Sequence, residues 1–328
     1  MEIKKRKTKK ILIIRNDHIG DLILSSGIFR EIKKTIPNSE ITVVTAPISK
    51  EIVETNPYID EIITCNYNPK SWGDFVEFYR AYKKIKKGKF DYGLELRGDL
   101  SNIFGLLFLS KVKYKAGHYK NKLSKILLDF PRPNNSCFEH ESKRSINMFN
   151  ECFKIADIDY SPQIFLTEDD KREVNKFIKK NNLKKFICIA PETPHLGKQW
   201  PLEKFDKVIK FLNKNYPKHK IILVGSDKYK LNWLKNKNLN LIILIRPKLR
   251  FVYGLFKKSS MVLSLDIGPM HIAWTGNCKL LGIILKFSEP SIENIKPLGK
   301  NSRYLLEREI NTKITVNEVK RELRKILG

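Results

Sequence analysis

The sequence predicts an α/β protein of two domains, each built on a mainly parallel sheet. Three observations carry this expectation. Apolar runs of strand length alternate with helically periodic segments through the first half, lapse near residues 156–168, and alternate again through the second half. At 328 residues the chain is long enough for two separate cores. Near its start, Ile11-Leu12-Ile13-Ile14-Arg15 leads through Asn16-Asp17-His18-Ile19-Gly20-Asp21 into an apolar-periodic run beginning Leu22-Ile23-Leu24. In open α/β sheets ligands bind beyond the carboxyl end of a strand at such a junction, which sets Asp21 at the mouth of an expected cleft.

The elements follow in order. Residues 22–35 place Leu22, Ile23, Ile28, Phe29 and Ile32 on one helical face, and Pro37-Asn38 ends the run. Residues 40–45 read as a buried strand, 48–54 as a short helix closed by Asn56-Pro57, and 62–64 as a third strand. A helix over 75–87 ends at Gly88, and a strand over 92–96 runs into the turn Arg97-Gly98-Asp99. Residues 111–133 are irregular and rich in lysine, and read as a loop region over the cleft. Helical periodicity returns over 140–155 and is lost over 157–162, which divides the domains at 1–162 and 163–328. Thr167 is the expected cap of the next helix, with Glu168, Asp169 and Asp170 as an acidic first turn. Strands are expected over 186–190, 221–225, 241–245, 261–265 and 280–285, and Pro201 opens a helix where its missing N–H is harmless. Thr315-Val316-Asn317-Glu318 is a capping box for a last helix ending near Leu327, a candidate to pack back on the first domain. Two successive α/β halves make two Rossmann-like domains facing across a cleft. Neither carries a G-x-G-x-x-G fingerprint, which disfavours a nicotinamide enzyme.

Composition narrows the class. Apolar content of 41% and charged content of 30% suit a soluble globular protein. The apolar runs fall far short of the ~20 residues needed to span a bilayer. The basic start Met1-Glu2-Ile3-Lys4-Lys5-Arg6 has no signal-peptide core behind it, so a cytoplasmic location is expected. Cys65, Cys137, Cys152, Cys188 and Cys278 are odd in number and lack metal or redox spacing, and read as reduced thiols. The net charge of +28 has two readings: lysines on solvated faces, or attraction to nucleic acid, anionic lipid or a phosphorylated substrate. The basic residues are spread along the chain without a nucleic-acid motif, which favours a membrane surface over nucleic acid.

Four stretches are candidates for chemistry, each with a plain structural alternative. Asp21 is either a helix-start carboxylate, stabilised by the helix dipole, or a general base that takes a proton from an attacking hydroxyl. Ala190-Pro191-Glu192-Thr193-Pro194-His195-Leu196-Gly197-Lys198-Gln199-Trp200-Pro201 is either an ordinary strand-to-helix loop or a phosphate site using Thr193, Lys198 and backbone N–H groups. Trp200 reads as packing. Leu265-Asp266-Ile267-Gly268-Pro269-Met270-His271-Ile272-Ala273 turns a strand through glycine into a helix, and N–H groups at Gly268 to Met270 would form an anion cradle. The alternatives there are a cap for Asp266 and a satisfied helical histidine for His271. Glu95-Leu96-Arg97-Gly98-Asp99-Leu100-Ser101 is either an acceptor contact or a structural turn.

Taken in order, the Ile19-Gly20-Asp21 helix start, Leu94-Glu95-Leu96-Arg97-Gly98, Lys198-Gln199-Trp200-Pro201 and Asp266-Ile267-Gly268-Pro269-Met270-His271 resemble glycosyltransferase family 9, the ADP-heptose:lipopolysaccharide heptosyltransferases. Asn56-Pro57-Tyr58-Ile59-Asp60-Glu61-Ile62 and the closing Ile314-Thr315-Val316 also resemble it, so the likeness covers nearly the whole chain. The resemblance implies a GT-B fold and an inverting, metal-independent transfer without a cofactor. A heptose would pass from ADP-heptose to a phosphorylated, lipid-linked lipopolysaccharide or lipooligosaccharide core acceptor. It makes Asp21 the base and puts the acceptor against Arg15, His18, Gly20 and Arg97. It gives the nucleotide-sugar Thr193, Lys198, Asp266, Gly268, Pro269, Met270 and His271. A peripheral place on the inner face of the cytoplasmic membrane fits such an acceptor. Two departures stand out: Ile267 replaces the family's hydroxyl residue, and Asp227 is only a candidate substitute for its ribose-binding acid. The alternatives are transfer of another nucleotide-activated sugar to a surface glycan, and a polyanion-binding module on a degenerate transferase scaffold.

Overall fold

Ile11, Leu12, Ile13 and Ile14 are completely buried because the strand they form is covered on both faces, as an unbroken apolar run requires. The computed structural model describes residues 8–67, 69–134, 139–154, 157–238, 241–285, 292–307 and 313–328. Cys137, the basic start from Met1 to Arg6 and the expected helix end at Ile155 lie outside these residues. The chain divides into two units, Met1–Phe165 and Leu166–Gly328.

The first unit runs β1 (Lys9–Arg15), α1 (Ile19–Ser25), α2 (Gly27–Thr35), β2 (Ser39–Thr45), α3 (Lys50–Val53), β3 (Glu61–Thr64), α4 (Trp72–Gly88), β4 (Tyr92–Glu95), β5 (Tyr114–Tyr119), α5 (Lys122–Ile126), β6 (Phe130–Pro133) and α6 (Glu141–Phe153). A π-helical segment, Asn102–Phe108, follows β4. The second runs α7 (Glu168–Lys180), β7 (Phe186–Ala190), α8 (Leu202–Asn215), β8 (Lys220–Gly225), α9 (Lys228–Asn236), β9 (Leu241–Ile245), α10 (Leu249–Lys258), β10 (Met261–Leu265), α11 (Gly268–Thr275), β11 (Leu280–Ile284), α12 (Ile292–Ile295), β12 (Ser302–Leu306) and α13 (Val316–Leu327).

Each unit holds one six-stranded sheet, ordered β3-β2-β1-β4-β5-β6 in the first and β12-β11-β10-β7-β8-β9 in the second. Numbered within its own unit, the second order is the first read backwards. Among the described residues the ten strand pairings are all parallel, from Lys9 opposite Ser39 in the first sheet to Ile284 opposite Leu306 in the second. This is the doubly wound order whose strand direction of travel reverses between the first and fourth strands, the point where such sheets bind ligands. Those points lie between β1 and β4, and between β7 and β10.

Two expectations need correction. The helix expected over 22–35 is two helices meeting at Ser26, which serves as the end of α1 and the start of α2. Ser25 Oγ donates back to the Asp21 carbonyl and Ser26 Oγ to the Ile23 carbonyl, bonds that loosen a helix. Gln163 N–H in turn donates to Ser26 Oγ at 2.7 Å, so the 161–163 segment crosses at the bend. The supposed loop over 111–133 contains β5, α5 and β6. Its pattern was hidden because β5 buries Ala116 and His118 rather than branched residues, and β6 is an edge strand, where its two prolines are tolerated. Edge strand β12, half-exposed, left no apolar signal either. The capping boxes at Thr167 with Asp170 and Thr315 with Glu318 are present as expected.

Among the described residues, no helix is long and apolar enough to cross a membrane. Within the second unit α13 packs on α8 and buries Val319 and Leu323 in the core. Trp200 belongs to that core, edge-on to Phe205, and its indole N–H donates to the Ile314 carbonyl at 3.1 Å just ahead of α13. Replacing the indole by Phe removes that bond and should cost about 1 kcal/mol. Trp200→Ala should cost about 3–5 kcal/mol by opening a cavity. Urea denaturation followed by circular dichroism tests both, and equal stability of the two variants would contradict this role for the ring.

Candidate functional site

Both reversal points carry clustered charge. In the first unit the cluster is organised by Arg15, the last residue of β1, whose side chain is buried under the turn it introduces. Its Nε lies 3.0 Å from Asp17 Oδ1, its Nη1 2.8 Å from Glu141 Oε1 and its Nη2 3.3 Å from Asp21 Oδ1. Nη1 also donates to the Leu96 carbonyl at 2.8 Å, which ties the end of β1 to the turn after β4. Burial disfavours the guanidinium charge, yet the anions Asp17, Glu141, Asp21 and Glu95 outweigh it and raise its pKa.

Two further arginines complete the balance. Arg144 Nη1 bonds Glu141 Oε2 at 3.0 Å, and Arg97 Nε lies 3.7 Å from Asp17 Oδ2. Glu141 and Asp17 therefore each stand between two cations and are closed off, at 5% and 4% side-chain exposure. Asp21 has Arg15 as its ion-pair partner and is 27% exposed. It is the one carboxylate of the three that is open to a ligand. Its place in the first turn of α1 also satisfies the helix-start reading, so position and availability coincide.

The turn after β4 is held by Glu95. Its Oε2 accepts the N–H groups of Arg97, Gly98 and Asp99, and Oε1 accepts from Asn102 at 3.3 Å. Burial pushes this carboxyl up while those donors pull it back. Asn102 and Asn16 exchange side-chain hydrogen bonds of 2.8 and 3.3 Å, joining the two turns again. Gly98 is required here. Its φ is +83°, and a Cβ would stand 2.9 Å from the His118 carbonyl. His118 beneath it is pushed down to about 2 by burial and then by Arg144, Arg132 and Arg15, so it is neutral. Arg97 lies 3.7 Å over the Tyr67 ring, and Tyr67 meets His18 edge-on. Arg15, Asp21 and Arg97 thus share one cluster, with His18 reaching it through Tyr67 and Gly20 in the helix start.

In the second unit Lys198 and Asp266, 68 residues apart in sequence, form a 2.8 Å ion pair. His271 Nε2 is 4.0 Å from the other oxygen of Asp266. Lys198 comes from a 3-10 turn after β7, and Asp266 from the turn after β10, so both flank the second reversal point. Thr193 is buried with its Oγ accepting from His195 N–H at 3.2 Å, and its own N–H donates to Gln199 Oε1.

The anion cradle expected at Gly268 to Met270 is smaller than the sequence suggests. Pro269 has no N–H, and the Met270 N–H donates to the Ile267 carbonyl at 2.9 Å, leaving Gly268 to offer a donor. The Met270 side chain is fully buried, its sulfur against Gly282. Ile267 sits at the N-cap of α11 and makes no side-chain cap. Asp227 is the N-cap of α9, its Oδ1 accepting from Tyr229 and Lys230 N–H. A residue the sequence reading passed over, Glu192, holds that turn: its Oε1 accepts from Ser226 N–H and Oγ and from Asp227 N–H. A Cβ on Gly225 would lie 2.6 Å from the Glu192 carboxyl, so a side chain there would push that carboxyl off the turn it holds. Asp17, Glu141 and Arg144 were also missed. Asp17 carried a signal, as a second acid in the turn before Asp21; Glu141 and Arg144 lie over 100 residues away on α6 and carried none.

The free thiols Cys65, Cys152 and Cys278 are pushed up by burial, to about 11, 12 and 12, so they stay protonated.

Comparison with known proteins gives a consistent result. The family model described as "Glycosyltransferase family 9 (heptosyltransferase)" matches residues 78–325, a span that contains Lys198 and Asp266 and begins after Asp21. Lipopolysaccharide heptosyltransferase 1 of Campylobacter coli is 23% identical over 290 residues, 82% of this chain and 81% of that protein. A glycosyltransferase family 9 structure from Veillonella parvula superposes with a TM-score of 0.86 over 99% of both chains at 17% identity. The E. coli heptosyltransferase WaaC, solved with ADP, gives 0.75 over 97% of this chain and 99% of its own, at 15% identity. These likenesses show the fold expected from sequence, a GT-B-type pair of α/β units.

The buried cluster has a pH signature. Burial raises Asp17 to about 7 against the pull of Arg15, above its value in the unfolded chain. A carboxyl whose folded pKa is raised binds its proton more tightly when folded, so its contribution to stability is lost as pH rises from about 4 to about 7. The stability of the native chain relative to Asp17→Asn should therefore fall across that window, as read by urea unfolding at a series of pH values. A difference that is flat or rises with pH would contradict it.

Proposed function

The chain belongs to glycosyltransferase family 9, and from that premise we propose that it transfers a heptose from ADP-heptose to a lipopolysaccharide or lipooligosaccharide core acceptor, with inversion and without a metal. The observation that carries this reading is the open carboxylate of Asp21 beside the closed pairs of Arg15 with Asp17 and Glu141. An acceptor hydroxyl attacks the anomeric carbon, the bond from that carbon to the diphosphate breaks, and the hydroxyl proton passes to Asp21. ADP leaves with the bonding electrons. Lys198, poised on Asp266, and the Gly268 N–H at the start of α11 oppose the charge that builds on the diphosphate. In this reading Thr193 and His271 also contact the nucleotide-sugar. The acceptor is a phosphorylated, lipid-linked glycan, and Arg97, held half-exposed between Tyr67 and Asp17, is the cation placed to meet its anionic groups. In this reading the chain works in the cytoplasm, against the inner face of the membrane.

A second reading, transfer of another nucleotide-activated sugar, is supported by Asp227, whose carboxylate is engaged in capping α9 rather than offered to a ribose. Against the reading of a degenerate, polyanion-binding scaffold stand the half-open Asp21 carboxylate and the Lys198–Asp266 pair, which that reading leaves without a use.

Asp21→Asn keeps the size and removes the proton acceptor. It should lower kcat by about 10²–10⁴ while calorimetric affinity for ADP stays that of the native chain. Native turnover in this variant would remove Asp21 from the mechanism. Tighter binding of UDP or GDP than of ADP would replace the donor by another nucleotide-sugar.

A further inference from the structure

We propose that the outer face of α4, with the adjoining π-helical segment, seats the first unit on an anionic lipid bilayer. This rests on the lipid-linked acceptor proposed above, and it names the surface that meets the lipid.

The helix has two unlike sides. Ala81 and Ile85 are buried in the core with Phe78 packed beside them. On the opposite side Trp72, Phe75 and Tyr79, at positions i, i+3 and i+7, form one exposed stripe. Their exposures are 84%, 54% and 54%, far above those of the core aromatics. The π-helical segment packs closely alongside, since a Cβ on Gly105 would meet the Phe78 ring at 2.8 Å. It adds Phe104, Phe108 and Leu109 to the exposed surface, with the two phenyl rings stacked at 6.0 Å. Single exposed apolar residues are ordinary; six on two packed elements, three of them in register on one helix, make a patch.

Charge selects the partner. Continuing along α4 come Arg80, Lys83, Lys84, Lys86 and Lys87, against Asp74 and Glu77. Asp74 is engaged in the capping box with Ser71 and bonded by Asn66, and those hydrogen bonds hold its carboxyl well below the usual range. Lys84 pairs with Glu61, whereas Lys83 lies 4.6 Å over Tyr79 and Lys86 hydrogen-bonds the Tyr82 hydroxyl. The same stripe therefore passes from aromatic rings into basic side chains whose stems lie along rings. That order suits a bilayer interface: Trp and Tyr settle at headgroup depth, while lysines reach the phosphates. With a chain charge of +28 the attraction is toward anionic surfaces.

The face also adjoins the Asp21 cluster. Asn66, which bonds Asp74 at the start of α4, precedes Tyr67, and Tyr67 packs on Arg97 and accepts from Ser101 through its carbonyl. A lipid-linked glycan rising from a surface under α4 would emerge next to Arg97.

Co-sedimentation of the full chain with vesicles tests the proposal. Mixed phosphatidylglycerol and phosphatidylethanolamine vesicles should bind the native chain at least about tenfold more strongly than phosphatidylcholine vesicles. The double variant Trp72→Ser with Phe75→Ser should lose about tenfold in binding to the mixed vesicles. Lys83→Glu with Lys87→Glu should abolish the preference for phosphatidylglycerol. Tyr229→Ser, which removes an exposed ring of the second unit, should leave binding unchanged. All substituted side chains are exposed, and circular dichroism checks that each variant folds. Binding needs neither donor nor acceptor, so a chain that binds vesicles but transfers no heptose would leave this proposal standing and sink the other. The proposal is overturned if the native chain ignores phosphatidylglycerol, or if the aromatic double variant binds as the native chain does, which would leave a diffuse charge effect or a protein partner for this face.

Discussion

A buried guanidinium is tolerable only where anions and acceptors surround it, and Arg15 imposes that condition on everything near the end of β1. It draws Asp17 and Asp21 from its own turn, Glu141 from α6 and the Leu96 carbonyl from the turn after β4. Three separate stretches of the first unit are thereby fixed around one side chain. The fork of an arginine can address three carboxylates at once, each through a different nitrogen; a lysine ammonium could not hold that planar arrangement. Arg97 and Arg144 then close two of the acids and leave the third open. The availability of Asp21 follows from this distribution of partners more than from its place in a helix.

The second unit solves the same structural problem with different residues. Its sheet has the same strand order, and its charged pair likewise joins the loops after the first and fourth strands of the sheet. A buried glutamate clamps a turn at the end of a strand in each unit: Glu95 after β4, and Glu192 across to the end of β8. In both places a glycine backbone gives room that a side chain would fill, at Gly98 and Gly225. The turn carrying Arg97 is held by the buried Glu95, and the turn carrying Asp227 by the buried Glu192.

What could be read from sequence follows from how local each signal is. The strands β1, β7 and β8 announce themselves because their apolar runs are continuous and buried, and β2 and β10 because a single polar residue interrupts an otherwise apolar buried run. The capping boxes at Thr167 and Thr315 are complete within four residues. The edge strands β6 and β12 escape because half-exposed strands need no such run. In the sites, Lys198, Asp266 and His271 were legible as motif members, and the structure adds their pairing. Glu141 and Arg144 were not legible, since their part depends on a contact across more than 120 residues with Arg15. The reduced cradle at Gly268 shows the converse limit: a glycine-proline helix start suggests free N–H groups, but only the folded backbone reveals that Met270 donates to Ile267.

A mass-spectrometric transfer assay with the native chain, ADP-heptose and a truncated core acceptor tests the role of Asp21 most directly. The acceptor should gain the mass of one heptosyl residue while ADP is released in equal amount, and NMR of the product should show the new linkage inverted at the anomeric carbon. Retention of anomeric configuration, or ADP release with no gain in acceptor mass, would contradict an open Asp21 acting as the base for an acceptor hydroxyl.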